Sequence, residues 1–176
     1  MKNLLFIFFF MMINNEIIIA DFNKNTDTNS WYITNDSVMG GLSTSKMILD
    51  EDGNGVFTGS VSTENNGGFA MIRLPIDINI TENLKDVVLK VKGDGKKYQL
   101  RIKSNRSQQH WFIQTFQTST KMEVIKIPLK DFFPSFRGYK LNMDNFSANE
   151  IKEIAILIGN KKDENFELTI DKISLN

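Results

Sequence analysis

Beyond residue 16, hydrophobic and polar positions alternate in short runs and do not recur at helical spacing. Phe57, Gly59 and Val61 alternate with Val56, Thr58, Ser60 and Ser62. Val87, Leu89 and Val91 alternate with Val88, Lys90 and Lys92, and Tyr98, Leu100 and Ile102 alternate with Gln99, Arg101 and Lys103. A period of two marks a half-buried strand, because successive side chains point to opposite faces. Gly93-Asp94-Gly95 separates the last two runs, and an Asp-Gly step there predicts a tight hairpin. One face of that hairpin is apolar; the other carries Lys90, Lys92, Gln99, Arg101 and Lys103.

Further strands are expected at 31–34, 111–116, 123–128, 151–159 and 166–175. In the last, Phe166, Leu168 and Ile170 keep one phase and Ile173 and Leu175 break it, which predicts a bulge. The continuously apolar run from Ile154 to Ile158 reads as a central strand covered on both faces. Helical spacing is nearly absent: Leu129 to Phe133, stopped by Pro134, makes a turn, and at most one or two such turns are expected. Many short strands joined by polar turns predict an all-β antiparallel sandwich, one domain over residues 17–176.

The first residues differ. Lys2 precedes an unbroken apolar run from Leu4 to Ile13, which Asn14-Asn15-Glu16 ends. The run suits an export signal and is too short for a spanning helix, which needs about 20 apolar residues. Residues 1–16 are therefore read as a signal-peptide-like segment of a periplasmic or secreted protein. The other reading is a cytoplasmic protein whose apolar N-terminus packs on its own sandwich. Two readings also compete just downstream. Ile18 and Ala20 suit the −3 and −1 positions of a cleavage site; alternatively the first strand begins at Ile17 and cleavage lies near Asn14.

Composition removes several functions. Lys+Arg and Asp+Glu balance at 21 each, so no global field attracts nucleic acid. The absence of cysteine removes disulfides, thiolate zinc sites, thiol nucleophiles and cysteine-linked lipid anchors. The one histidine, His110, lies in a strand pattern with no nucleophile elbow anywhere, and reads as a surface or rim residue. The stretch from Asp50 to Gly55 superficially resembles a calcium loop, but the closing glutamate position falls on Val61, so a hairpin turn is expected. Gly93-Asp94-Gly95 lacks the helix and lysine-hydroxyl pair of a phosphate loop. Asp36, Glu64 and Asp94, beside glycine-rich turns, read as turn or capping residues before they read as catalytic acids. No cofactor, metal or catalytic set is expected. Two Gly-Gly steps, in Asn35 to Ser43 and in Glu64 to Phe69, permit close approach of another group, either backbone or ligand.

The ordered motifs resemble a known family. They run Trp31, then Asn35-Asp36-Ser37-Val38-Met39-Gly40-Gly41-Leu42-Ser43, Phe57 with Gly59, Asn65-Asn66-Gly67-Gly68-Phe69, and Val91-Lys92-Gly93-Asp94-Gly95-Lys96-Lys97-Tyr98. Ile127-Pro128-Leu129, Asp131-Phe132, Phe136-Arg137-Gly138, and Phe166-Glu167-Leu168 with Ile170-Asp171 and Ile173 complete the set. In order and spacing they are similar to the complex I intermediate-associated protein family, the NADH:ubiquinone oxidoreductase assembly-factor domain, in its short, single-domain bacterial form. The resemblance implies a galactose-binding-like jelly roll, no catalysis, and the holding of a protein partner such as a membrane-complex intermediate.

The expected binding surface is Asp36, Gly40, Gly41, Ser43, Asn66, Gly67 and Gly68, with Asp94 and Arg137 nearby. Asp36 is expected to accept hydrogen bonds from local amides or from Arg137, with both Gly40 and Gly41 at positive φ. The alternative is a carbohydrate-binding module of the cell envelope, with Trp111, Phe112 or Phe116 stacking on sugar beside Lys90, Arg101 and Gln114. Neither reading has a nucleic-acid partner or a transmembrane span in the mature domain.

Overall fold

Alternating runs on both sides of each turn bury one row of side chains per strand, and two sheets close over those rows. The computed structural model describes residues 16–176. The export-signal segment expected at 1–16 therefore lies outside the described residues except for Glu16, which pairs with Lys172 at 2.9 Å.

Thirteen strands occur among the described residues: β1 (Ile17–Asp21), β2 (Tyr32–Asn35), β3 (Thr44–Leu49), β4 (Gly55–Val61), β5 (Ala70–Asn79), β6 (Asp86–Lys92) and β7 (Lys97–Lys103). They continue with β8 (Trp111–Gln117), β9 (Glu123–Pro128), β10 (Phe133–Phe136), β11 (Tyr139–Lys140), β12 (Glu150–Ile158) and β13 (Glu164–Leu175). One sheet runs β3-β4-β13-β6-β9, with β1 also on β13; the other runs β11-β10-β8-β7-β12-β5-β2. Every pairing is antiparallel. The result is an all-β jelly-roll sandwich of the galactose-binding-like kind.

Phe57, Leu89, Leu100, Ile102, Ile156 and Leu168 are fully enclosed between the sheets. Phe57 meets Phe166 edge-on at 4.7 Å, and Tyr98 stacks on Phe116 at 6.0 Å. β12 is covered on both faces, as its unbroken apolar run requires. Ile154, Ile156 and Ile158 point into the core, and Ala155 and Leu157 join Met71 in a small outer cluster. The expected bulge in β13 is a register shift between Ile170 and Lys172. The Asp50 stretch is the β3–β4 turn: Asp50 accepts from the Asn54 amide at 2.7 Å and the Asn54 side chain at 2.9 Å.

Two expectations fail. β6 and β7 form no hairpin, because β6 pairs with β13 and β9 while β7 pairs with β8 and β12. Gly93-Asp94-Gly95 carries the chain from one sheet to the other. Asp94 is drawn to the β13 amide of Glu167 at 3.0 Å, and Gly93 lies so close to Thr118 that a Cβ there would stand 2.1 Å from Oγ1. Lys90 and Lys92 thus belong to a different sheet from Gln99, Arg101 and Lys103. Second, the described residues contain four short 3₁₀ turns and not one or two: Thr28–Ser30, Asp36–Met39, Glu64–Asn66 and Leu129–Asp131. No helix among the described residues is long and apolar enough to cross a membrane.

Candidate functional site

The two glycine-rich segments are the crossovers at one edge of the sandwich. The chain leaves β2 of the seven-stranded sheet, turns through Asp36–Met39 and enters β3 of the other sheet; it returns from β4 through Glu64–Asn66 to β5. Asp36 sits between these passages and is only 2% exposed. Its Oδ1 accepts the Ser43 amide at 3.0 Å, and its Oδ2 accepts the Ser43 hydroxyl at 2.5 Å, the Gly68 amide at 2.6 Å and the Phe69 amide at 3.2 Å. Ser43 extends the network, its Oγ accepting from the Ser62 amide at 3.0 Å. Across the seam, the Asn65 side chain donates to the Gly40 carbonyl at 3.2 Å.

Burial pushes the Asp36 carboxyl upward, but the Ser43 hydroxyl and the amides of Gly68, Phe69 and Ser43 outweigh it, so the group titrates below its ordinary value. Gly40 has φ +85°, as expected. Gly41 is constrained differently from the expectation: its φ is not positive, and a Cβ would stand 2.3 Å from the Asp36 carboxyl carbon. Gly67 makes the same allowance, with its Cβ position 2.6 Å from Oδ2, and Gly68 has φ +126°. Asn66, at φ +59°, is exposed on the rim.

Asp36, Gly40, Gly41, Ser43, Gly67 and Gly68 are therefore brought together, but around a buried carboxylate that ties sheet to sheet. Arg137 is not part of this group. It lies in the β10–β11 turn at the opposite edge of the seven-stranded sheet, its guanidinium 5.3 Å from the Phe136 ring. The Asp36–Arg137 pairing is corrected accordingly: backbone amides and a serine do that work. Asp94 lies at the same end as Asp36 but in its own network, bonded to Lys96 Nζ at 2.6 Å, the Tyr98 hydroxyl at 3.1 Å and the Glu167 amide.

Trp111 lies elsewhere, on the outer face of the seven-stranded sheet. The register aligns Arg73, Ala155, Arg101 and Ile113 in one row across β5, β12, β7 and β8. The next row holds Glu153 opposite Lys103, with Trp111 beside them. Lys103 Nζ stands 4.5 Å from the Trp111 ring centre and the Arg73 guanidinium 5.6 Å from it. Arg73 binds Glu153 at 2.6 Å, while Lys103 is 3.8 Å from the same carboxylate. The Arg101 guanidinium donates to the Gln99 side chain at 2.6 and 3.1 Å, its only side-chain hydrogen-bond partner among the described residues. Burial pulls Arg101 down to about 10, and it lowers Lys103 against the opposing pull of Glu153. Beneath these heads lie Met71, Ala155 and Leu157, with Phe69 at the margin.

The sugar-stacking set divides between faces. Phe112 and Phe116 point inward, against Phe146 and Tyr98. Gln114 reaches the Asp131 carbonyl, and Lys90 is in the other sheet. Sequence reasoning missed Arg73, Glu153 and the exposed Tyr32, which complete this surface. β5 carries no clean alternating run, and only cross-strand register brings these residues beside Trp111. It also missed a groove of about 620 Å³ at the far end of the sandwich, lined by Ile80, Leu84, Leu129, Phe146 and Ala148 among others. Among the described residues no group of three or more His, Asp or Glu is placed to hold a metal ion.

The architecture matches solved structures at low sequence identity. A family 11 carbohydrate-binding module from Clostridium thermocellum, solved with a β-1,3-1,4-mixed-linked tetrasaccharide, has a TM-score of 0.65 at 15% identity, covering 91% of this chain and 94% of that one. An agarase gives 0.60 at 12% identity, covering 92% of this chain and 24% of its own. Among curated proteins, the probable mitochondrial complex I intermediate-associated protein 30 of Caenorhabditis elegans is 25% identical over 77% of this chain, as is that of Caenorhabditis briggsae. The match spans 46% of each of those relatives, so this chain corresponds to about half their length. The family model described as complex I intermediate-associated protein 30 matches residues 20–170. The chain belongs to the complex I intermediate-associated protein 30 family.

Proposed function

We propose that this protein is a non-catalytic binding protein that holds a protein partner, as an assembly factor holds an intermediate, and that it does so with the outer face of the seven-stranded sheet. The observation that carries this reading is the set Arg73, Arg101, Lys103 and Trp111, fixed on rigid strands over an apolar floor with one carboxylate, Glu153, among them. Charged heads on an apolar floor cost desolvation, and the fold gains little from holding them there; a partner supplies the missing complement. Family membership supports the assembly role, and a membrane-complex intermediate is the partner this reading names. The Asp36 loops support the frame and do not contact the partner.

The test is capture from native cells under cross-linking, with Arg101→Glu and Lys92→Glu variants of unchanged melting temperature. A specific protein lost with the first and kept with the second supports the reading; equal capture by both contradicts it.

A second reading, a carbohydrate-binding module-like role in the cell envelope, is favoured by the fold match to the family 11 module and by Tyr32, 58% exposed on the same face opposite Arg73. Binding of glycans by the purified protein on an array tests it. Residues 1–16 are proposed as an export segment, and N-terminal sequencing of the mature protein checks this.

A further inference from the structure

We propose that the segment recognised by the outer face of the seven-stranded sheet is an acidic stretch of protein, its carboxylates met by Arg101 and Arg73 and its side chains laid on the Met71–Leu157 floor. This deepens the protein-binding reading above and rests on it.

The first support is the charge pattern. The central strands place Arg73, Arg101 and Lys103 in two adjoining rows with one carboxylate among them, Glu153, which Arg73 already engages at 2.6 Å; Asp77 and Glu150, farther along β5 and β12, are both held by Lys152 at 2.7 Å. Arg101 has no carboxylate within 4 Å among the described residues, and its only side-chain partner is the neutral Gln99. A half-buried guanidinium with a neutral partner retains donors in the planar fork that matches a carboxylate. Strands stand about 4.8 Å apart, so Arg73 and Arg101, two strands apart in one row, lie about 10 Å from each other. Lys103, two residues beyond Arg101, is 8% exposed and directed to Glu153 and the Trp111 ring, so it adds positive charge from below while Arg73 and Arg101 make the contacts.

The second support separates a peptide from a sugar. A sugar-binding tryptophan offers a bare ring, whereas the Trp111 ring already carries Lys103 at 4.5 Å and Arg73 at 5.6 Å. The ring fixes cations in place, which suits charge recognition better than stacking. The six-stranded sheet also carries lysines, but Lys90 is already paired with Asp171, and Lys46 and Lys92 stand out in solvent, where a charge is screened and binds weakly.

The experiment titrates the isotopically labelled protein with a blocked synthetic octapeptide of alternating glutamate and threonine, followed by amide and indole NMR shifts. The expected result is movement of the Arg101, Lys103 and Trp111 signals, weakening steeply as salt shortens the Debye length below about 10 Å. Arg101→Glu, folded by its unchanged spectrum elsewhere, weakens the interaction at least about tenfold; Lys92→Glu leaves it unchanged. Shifts on the six-stranded sheet, no shifts at all, or equal binding by Arg101→Glu overturn the proposal. So does binding of polygalacturonate or the mixed-linked tetrasaccharide in place of the peptide. If a protein is captured through this face while the peptide fails, the acidic-segment proposal falls and the protein-binding reading stands; if no protein is captured, the reading itself fails.

Discussion

The Asp36 carboxylate shows how one residue decides between a loop and a seam. It accepts four hydrogen bonds while 2% exposed, so removing its charge strands several donors that water cannot reach. Asp36→Asn replaces one acceptor oxygen with an N–H donor that faces those donors, and is expected to cost about 2–3 kcal/mol, roughly 5–10 °C in melting temperature for a chain of this length. Calorimetry of the two proteins at neutral pH checks this. The pH dependence has a definite sign. The folded carboxyl titrates below its unfolded value of about 3.9, so its contribution is fully present above that value and is lost as pH falls through the folded one. Melting curves from pH 6 to pH 3 are expected to fall less steeply for Asp36→Asn than for the parent. Gly40→Ala is expected to cost about 1 kcal/mol, because φ is +85° there. Gly41→Ala is expected to cost more, because its Cβ would collide with a carboxylate held on both oxygens. The sequence carried the cue, two Gly-Gly steps beside Asp36. It did not carry the identity of the donors, because Ser43, Gly68 and Phe69 converge only after both crossovers have formed.

At the scale of elements, strands were readable where an alternating or continuously apolar run was uninterrupted. β9 has the bounds that its pattern predicts, and β12 and β13 differ from theirs by one or two residues. β5 escaped notice because Pro75 interrupts it at a register shift and its outer row mixes Met71, Arg73 and Pro75. β3 is an edge strand with weak alternation, and β10 and β11 are only 4 and 2 residues long. The β6–β7 link misled because an Asp-Gly step specifies a tight reversal only when nothing more distant competes for the Asp, and here the Glu167 amide does. Position within the sheets also sets the cost of truncation. Ile156→Ala, in the fully buried centre of β12, is expected to destabilise by about 2–5 kcal/mol. Val124→Ala, on edge strand β9 and 59% exposed, is expected to stay within about 0.5 kcal/mol. Denaturant unfolding of both variants checks the contrast.

Across the whole molecule, the two regions singled out from the sequence separate into a fastening and a surface. The crossovers that hold Asp36 close one edge of the sandwich, while Arg73, Arg101, Lys103 and Trp111 lie together on the broad outer face of a rigid sheet. That assignment was only partly legible in advance. The sequence sets Trp111 beside Arg101, and Lys103 on the same face as Arg101, but not Arg73 or Glu153, since a face shared by four strands is a property of register and not of any local run. The proposed function follows the same division: the Asp36 crossovers hold the frame, and the outer face of the sheet is the surface proposed to meet a partner. The most direct test places a photo-crosslinking residue at Thr115, exposed on the outer face, and separately at Leu42, exposed on the Asp36 crossover. In native cells the account predicts a discrete protein adduct from Thr115 and none from Leu42; an adduct from Leu42 alone would contradict it.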